Sequence, residues 1–339
     1  MKDLLKYTFL SVLALMVFSC TQSEDDPTLQ ELDKEKVQVS FTLSMEATNP
    51  TSRAGETWGD DYAPDFIGDE YDNQIDLNSL QVVLFDVDDK YVGKVQQLRY
   101  YKVENGPINE YTFVGDLSTE IASGTYSIMV FANCPEVTAT TVADLKMMTF
   151  VYNPQRGIPM WGFIKQNINL VPGSRTVLNK IPVLRAMAKV EVSLNNNLVG
   201  DYSLLGVTLS RYKIGGYCLP QNYNATATST GDLNIDTGFN PHAEAEVGTS
   251  LSFNELIENQ KFCVYIPEYD NDAVPATMTL EVQHQDESAA RTYTLDFRNI
   301  IRNHYYQYII TGVNENIEFE LQYQVAAWID VTNPTITFN

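Results

Sequence analysis

Apolar and polar residues alternate along most of this chain, and sustained alternation admits little besides β-sheet. Successive side chains of a strand point to opposite faces, so a period of two means one face against a core and one against water. Val37, Val39, Phe41, Leu43 and Met45 are apolar at every second position, with polar residues between them. LQVVLFDVDDKYVGKV, residues 80–95, reads as strand, acidic turn, strand. EYTFVG, GTYSIMVFAN, RAMAKVEVSL, YSLLGVTLS, KFCVYIP, TMTLEVQH, RTYTLDF and HYYQYIITGV follow as further strands. Tyr (20) and Phe (15) are plentiful, as suits a pleated, half-buried surface. Helical signal is confined to TVADLKMM, one or two turns, and FNELI, one more. Many short strands separated by turn residues predict an all-β fold built of β-sandwiches.

The first residues follow a different rule. Lys2 and Lys6 precede an apolar segment from Thr8 to Phe18, the layout of a secretory signal. The segment is shorter than the ~20 residues a spanning helix needs. Val17-Phe18-Ser19-Cys20 is similar to a lipobox, in which the cysteine thiol is acylated and the chain is cut just before it; Phe18 is bulky for its place. Two or three acyl chains give stable anchoring where one does not. Residues 1–19 are therefore expected to be a lipoprotein signal peptide, with Cys20 the lipidated residue. Residues 20–35 are expected to be an acidic tether. Within it Ser23, Glu24, Asp25 and Asp26 are similar to an acidic signal for export to the outer face of the outer membrane. As a solvated, extended chain the same charges need no further role.

At 339 residues the chain is long enough for two ordinary domains. The Pro-Gly turn and paired strands of NINLVPGSRTVLNKIPVLRAMAKVEVSL put the junction near Pro182 to Arg185. The expected domains are residues 36–184 and 185–339. The tract from Asn222 to Gly248 has little periodicity and reads as a long loop, with room for a short helix. Lys and Arg total 22 against 44 acids, a net charge of −22, which makes nucleic acid a poor partner. Cys134, Cys218 and Cys263 are odd in number and widely spaced, so they read as small buried apolar residues and not as a disulfide framework or zinc site.

Chemistry-bearing motifs are absent. His242, His284 and His304 are not at metal-ligand spacing, and no nucleophile elbow, H-E-x-x-H pair or phosphate-binding loop occurs. Asp86-Val87-Asp88-Asp89 opens like a calcium loop, but Lys90 takes the fifth place and the later glycine and glutamate are missing. It reads as a hairpin turn. The acids at Asp60, Asp61, Asp65 and Asp69 sit in a glycine- and proline-containing loop, and Glu268-Tyr269-Asp270-Asn271-Asp272 reads as another turn. A non-enzymatic protein with no metal and no cofactor is expected, the one covalent group being the lipid on Cys20.

Several separated stretches, GTYSIMVFANCP, GIPMWG, LRAMAKVEVSL, FCVYIPE, IIRNHYYQYII and the terminal AAWIDVTNPTITF, fall in an order that resembles the fimbrillin-type proteins of type V pili. The branch the chain looks most like is that of the minor fimbrium anchoring subunits. The resemblance implies two tandem transthyretin-like β-sandwiches with Greek-key connections, outer-membrane lipidation, and joining to a pilin stalk subunit by β-strand complementation. In stalk subunits of the family a protease cuts after an arginine beyond the first strand. Arg53, in NPTSRAGE, is the candidate position here. Cutting there would separate Cys20 and its lipid from the body, so an anchor keeps the bond and a matured stalk or tip pilin loses it. A third reading is a surface glycan-binding lipoprotein, using Trp58, Trp161 or Trp328 as stacking platforms. Trp161 and Trp328 have apolar neighbours and read as core.

Overall fold

The structure is a computed structural model, and it describes residues 36–45, 74–102, 111–223, 225–226, 241–256, 261–272, 275–296, 299–313, 321–327 and 337–338. The strands of the first part are β1 (Val37–Met45), β2 (Gln74–Ile75), β3 (Gln81–Phe85), β4 (Tyr91–Lys94), β5 (Gln96–Lys102), β6 (Tyr111–Leu117), β7 (Gly124–Ala132), β8 (Thr149–Val151), β9 (Met160–Ile168), β10 (Arg175–Val177) and β11 (Ile181–Arg185). Those of the second part are β12 (Met187–Leu194), β13 (Tyr202–Lys213), β14 (Gly215–Tyr217), β15 (Val247–Ser252), β16 (Asn254–Leu256), β17 (Lys261–Pro267), β18 (Thr277–His284), β19 (Arg291–Asp296), β20 (His304–Ile310), β21 (Leu321–Ala327) and β22 (Thr337–Phe338). One short helix, α1 (Val142–Lys146), lies between β7 and β8, its Thr141 hydroxyl capping the Asp144 amide. The fold is all-β.

Alternation decides which strands face which core. A nine-stranded array runs β4-β3-β7-β9-β11-β1-β6-β5, with β10 also on β1. A five-stranded sheet, β16-β17-β12-β20-β21, and a four-stranded one, β15-β13-β18-β19, make up the second part. Between those two sheets lies one buried cluster, with Val190, Val264 and Tyr306 from the first and Leu209, Met278 and Leu280 from the second. The other cluster is built on Phe41, Phe85, Phe113, Ile128, Phe131, Trp161 and Phe163. Met187, Cys218, Leu219 and Tyr305, all from later in the chain, also belong to it.

The turn from β3 to β4 forms as its composition predicts. The Asp86 carboxylate accepts from the Asp88 and Lys90 amides, each at 2.9 Å, and Asp89 adopts φ 60. Short polar side chains tolerate that left-handed conformation and bond their own backbone. FNELI does not form a helical turn. Its Asn254–Leu256 pairs with β17 as β16. A single helical turn has no cooperative support, whereas an open sheet edge offers partners at once.

Alternation also misjudges exposure. Every residue of β12 is buried, including Lys189 at 2% and Glu191 at 3%. Lateral partners make this tolerable. Lys261 Nζ lies 3.3 Å and Gln307 Nε2 3.1 Å from Glu191 Oε1, both from flanking strands, and Lys189 Nζ sits over the Tyr265 ring at 5.7 Å.

The expected turn at residues 268–272 holds only in part. Glu268 is buried and paired with buried Arg302, whose Nη2 and Nε donate to Glu268 Oε2 at 3.1 and 3.3 Å. Tyr269 is wholly buried, bridged to Ile300. Asp270, Asn271 and Asp272 do make the turn, with the Asp270 carboxylate accepting from the Asp272 amide at 3.0 Å and the Asn271 side-chain oxygen from the Ala276 amide at 2.6 Å. Removing one partner of a buried pair strands the other charge. Glu268→Ala is expected to cost about 3–5 kcal/mol in urea denaturation, while Glu268→Leu combined with Arg302→Met should cost far less.

Candidate functional site

The segment on which the architecture depends most is β1. Its first part pairs antiparallel with β6, from Val37↔Leu117 to Thr42↔Thr112. Its opposite edge is shared by two strands in succession, both parallel to it. Gln38 to Ser40 meet β10, and Leu43 to Met45 meet β11. Loop groups continue the ladder. Gln38 N donates to Ser174 O at 3.2 Å, Gly173 N to Lys36 O at 2.8 Å and Leu178 N to Ser40 O at 2.8 Å. This one strand therefore joins β5 and β6 to β11, β9, β7 and β3. Without it, β6, β10 and β11 would each present a row of unpaired donors and acceptors, which cost free energy unless a partner strand satisfies them.

Side chains fix the register. Val37, Val39, Phe41 and Leu43 are buried to 4% exposure or less. Phe41 stacks on Phe113 across β6 with centroids 5.3 Å apart. A one-residue slip would turn this whole apolar set away from the core. The backbone of Met45 pairs with Val183, and its side chain lies outside the described residues. The intervening positions are not water-facing, as a half-buried strand would have them. Gln38 and Ser40 are buried at 8% and 6%. Arg175 Nη2 donates to Gln38 Oε1 at 3.3 Å, and Lys36 Nζ to Asp116 Oδ2 at 3.1 Å, so long polar side chains roof the second face.

The remaining candidate residues do not converge on β1 or on one another. Cys20, Ser23, Glu24, Asp25, Asp26, Arg53, Asp60, Asp61, Asp65, Asp69, Trp58 and Trp328 lie outside the described residues. Trp161 is 1% exposed, with Phe163 stacked on it at 6.0 Å and Tyr223 edge-on at 4.8 Å, so it offers no face to a sugar. His304 is buried with Nδ1 2.8 Å from Arg302 O. His284 packs edge-on against Tyr202, and His242 edge-on against Tyr217. Each histidine thus has a local packing role. Among the described residues no three His, Cys, Asp or Glu side chains gather as a metal site.

A cleft of about 290 Å³ beside α1 is lined by Glu136, Thr140, Asp144 and Met147, among others. The hydroxyls of Thr141 and Thr140 hold the Asp144 carboxyl below its ordinary pKa. Those hydrogen bonds serve the helix cap.

One site escaped the sequence reading. Asn133, just past β7, adopts φ 57 and is buried. Its Nδ2 donates to Gln74 O at 2.7 Å and Ile158 O at 2.8 Å, and its Oδ1 accepts from the Asp76 amide at 2.9 Å. Beside it, Cys134 Sγ donates to Met160 O at 3.5 Å. An Asn closing a strand is a weak signal for a left-handed residue, and nothing local marks the partners.

The family model described as the major fimbrial subunit protein, FimA, matches residues 37–197, beginning at the first residue of β1. Among solved structures, the tip fimbrial protein Mfa3 from Porphyromonas gingivalis, with a C-terminal truncation, is similar at TM-score 0.52 and 12% identity; the match covers 86% of this chain and 100% of that one. A fimbrial assembly protein from Parabacteroides distasonis is similar at TM-score 0.50 and 14% identity, covering 86% and 98%. At such identities the likeness is one of fold. No curated protein matches the chain.

Proposed function

We propose, from the match of residues 37–197 to the fimbrial subunit family model, that this chain is a fimbrillin-type subunit, a lipid-anchored accessory protein that holds a surface fimbria to the outer membrane. It joins the stalk pilin by β-strand complementation and performs no enzymatic reaction. Its mature body is two tandem transthyretin-like sandwiches, residues 36–184 and 185–339, on the tether of residues 20–35.

The observation that carries this reading is the position of β1. A strand bonded on both edges, bridging β6 to β10 and β11, leaves a groove of matching shape if it departs. Strand addition at such a groove gives affinity through main-chain hydrogen bonds and specificity through alternate side-chain pockets. An anchor differs from a polymerising subunit in keeping its own strand, because β1 lies on the same side of Arg53 as Cys20. Cys20 carries the lipid, and Ser23, Glu24, Asp25 and Asp26 direct the protein to the cell surface.

Cys20→Ala tests the anchor. The variant is expected to stay folded, lose its lipid and leave the membrane fraction, and fibres should be shed into the medium. Acyl chains supply the retention. Fibres that remain cell-bound would mean that another protein holds them.

A further inference from the structure

After β13 the chain leaves the second part, crosses to the first, and returns. The root of this excursion is fixed on the second part. Lys213, the last residue of β13, is buried, and its Nζ donates to Ala243 O at 2.8 Å and Ala245 O at 2.6 Å. Ile214 N donates to Glu246 O at 3.1 Å, so the departing and returning chains are clasped together just before β15.

The crossing stretch, residues 215–223, is bonded into the first part by a continuous ladder. β14 pairs antiparallel with β8, Gly215 to Val151 and Tyr217 to Thr149. Tyr152 N donates to Ile214 O at 3.0 Å on one side of that pairing, and Cys218 N to Met148 O at 2.9 Å on the other. Gln221 Nε2 then reaches Lys146 O at 2.8 Å, at the last residue of α1. A Cβ on residue 215 would lie 2.1 Å from Phe150 O, so glycine is what lets the two backbones come this close. Cys218 and Leu219 have no exposed surface and belong to the first core. Tyr223 closes the stretch. Its ring is edge-on to Trp161 at 4.8 Å and 5.1 Å from Phe163, and Lys146 Nζ lies over it at 5.2 Å.

We propose that residues 215–223 are a coupling strap that makes the two parts of the chain open as one unit. Parts of a chain that merely touch move relative to one another by default, and only a large apolar interface prevents it. Here the second part supplies residues of the first part's own core, Met187 and Tyr305 as well as Cys218 and Leu219. The direct connection between the parts is the single residue Ala186, between β11 and β12. The strap adds a second crossing, and it cannot lift without breaking the ladder to β8 and leaving main-chain groups unpaired. Phe41 of β1 lies in the same core, so release of the strap also loosens β1. This coupling holds whether or not the protein serves a fimbria.

The test is hydrogen exchange read by mass spectrometry through a urea series, on the full chain carrying Cys20→Ser. Local and global opening separate in such a series, element by element. In the parent, peptides from β1, β7 and β9 should open at the same urea midpoint as peptides from β13 and β18. Tyr223→Ala removes the ring and leaves the ladder. It should split the two sets, with the first-part peptides opening at lower urea and exchanging at least tenfold faster than in the parent. Gly215→Val, which drives a side chain into Phe150 O, should split them further. Where Gly215→Val fails to fold, Tyr223→Ala decides. Two separate midpoints in the parent overturn the proposal. So does a Tyr223→Ala protein whose two sets still open together, at the parent's midpoint or below it, because a residue that only adds stability would lower both alike.

Discussion

Phe41→Asp is expected to unfold the first part of the protein. Phe41 is 1% exposed and stacked on Phe113, in a strand bonded on both edges. Truncating a buried Phe to Ala costs about 3–5 kcal/mol from lost transfer energy and the cavity left behind. A carboxylate adds the cost of an unpaired charge in an apolar site, several kcal/mol more. Native domains are stable by about 5–15 kcal/mol, so the sum removes most or all of the margin. Phe41→Leu, which keeps apolar volume, should lose only a small part of it. Circular dichroism and urea titration of the two variants beside the parent measure the difference. A Phe41→Asp protein with the parent's midpoint would mean that β1 is not part of the stable core.

Asn133 is the second position where a single change should be severe. Asn133→Leu removes the side-chain partners of the Asp76 amide and of the Gln74 and Ile158 carbonyls at once. Leaving a buried polar group unsatisfied costs about 1–3 kcal/mol, so three together reach about 3–9 kcal/mol. A left-handed conformation adds about 1–2 kcal/mol for a residue with a Cβ and no local hydrogen bond to offset it. Asn133→Gly keeps the backbone at ease and loses only the side-chain bonds, so it should be the milder variant. Gly157→Ala should injure the same hub from outside, because Gly157 sits at φ 76 and its added Cβ would lie 2.8 Å from Asn133 Nδ2. Thermal melts of the three variants read the order. If Asn133→Gly and Asn133→Leu melt together, the left-handed backbone contributes nothing.

How much of this was legible beforehand varied with how local the cause was. The β3–β4 hairpin is settled by Asp86 and the residues just after it, so its turn chemistry appears in the sequence. The apolar face of β1 appears there too, because Val37, Val39, Phe41 and Leu43 alternate. β9 was missed as a strand because Met160 to Ile164 are buried on both faces, which erases the period of two. The covered second face of β12 was missed because Lys189 and Glu191 look like water-facing residues until Tyr265, Lys261 and Gln307 are brought beside them. Glu268 was misread for the same reason, since its partner Arg302 is distant in sequence. The burial of Cys218 and Leu219 in the first core depends on β14 pairing with β8 across the chain, and no spacing rule reports that.

The account turns on whether β1 stays with the body of the protein in the assembled fibre. The most direct measurement is the N-terminus of this protein in purified surface fibres, read by mass spectrometry of its N-terminal peptide. An anchor should begin at an acylated Cys20, with the chain continuous from β1 through Arg53 to Ala54. A chain that begins at Ala54 would contradict the anchor reading, since β1 and the lipid would have left together, and it would make the protein a matured stalk or tip pilin.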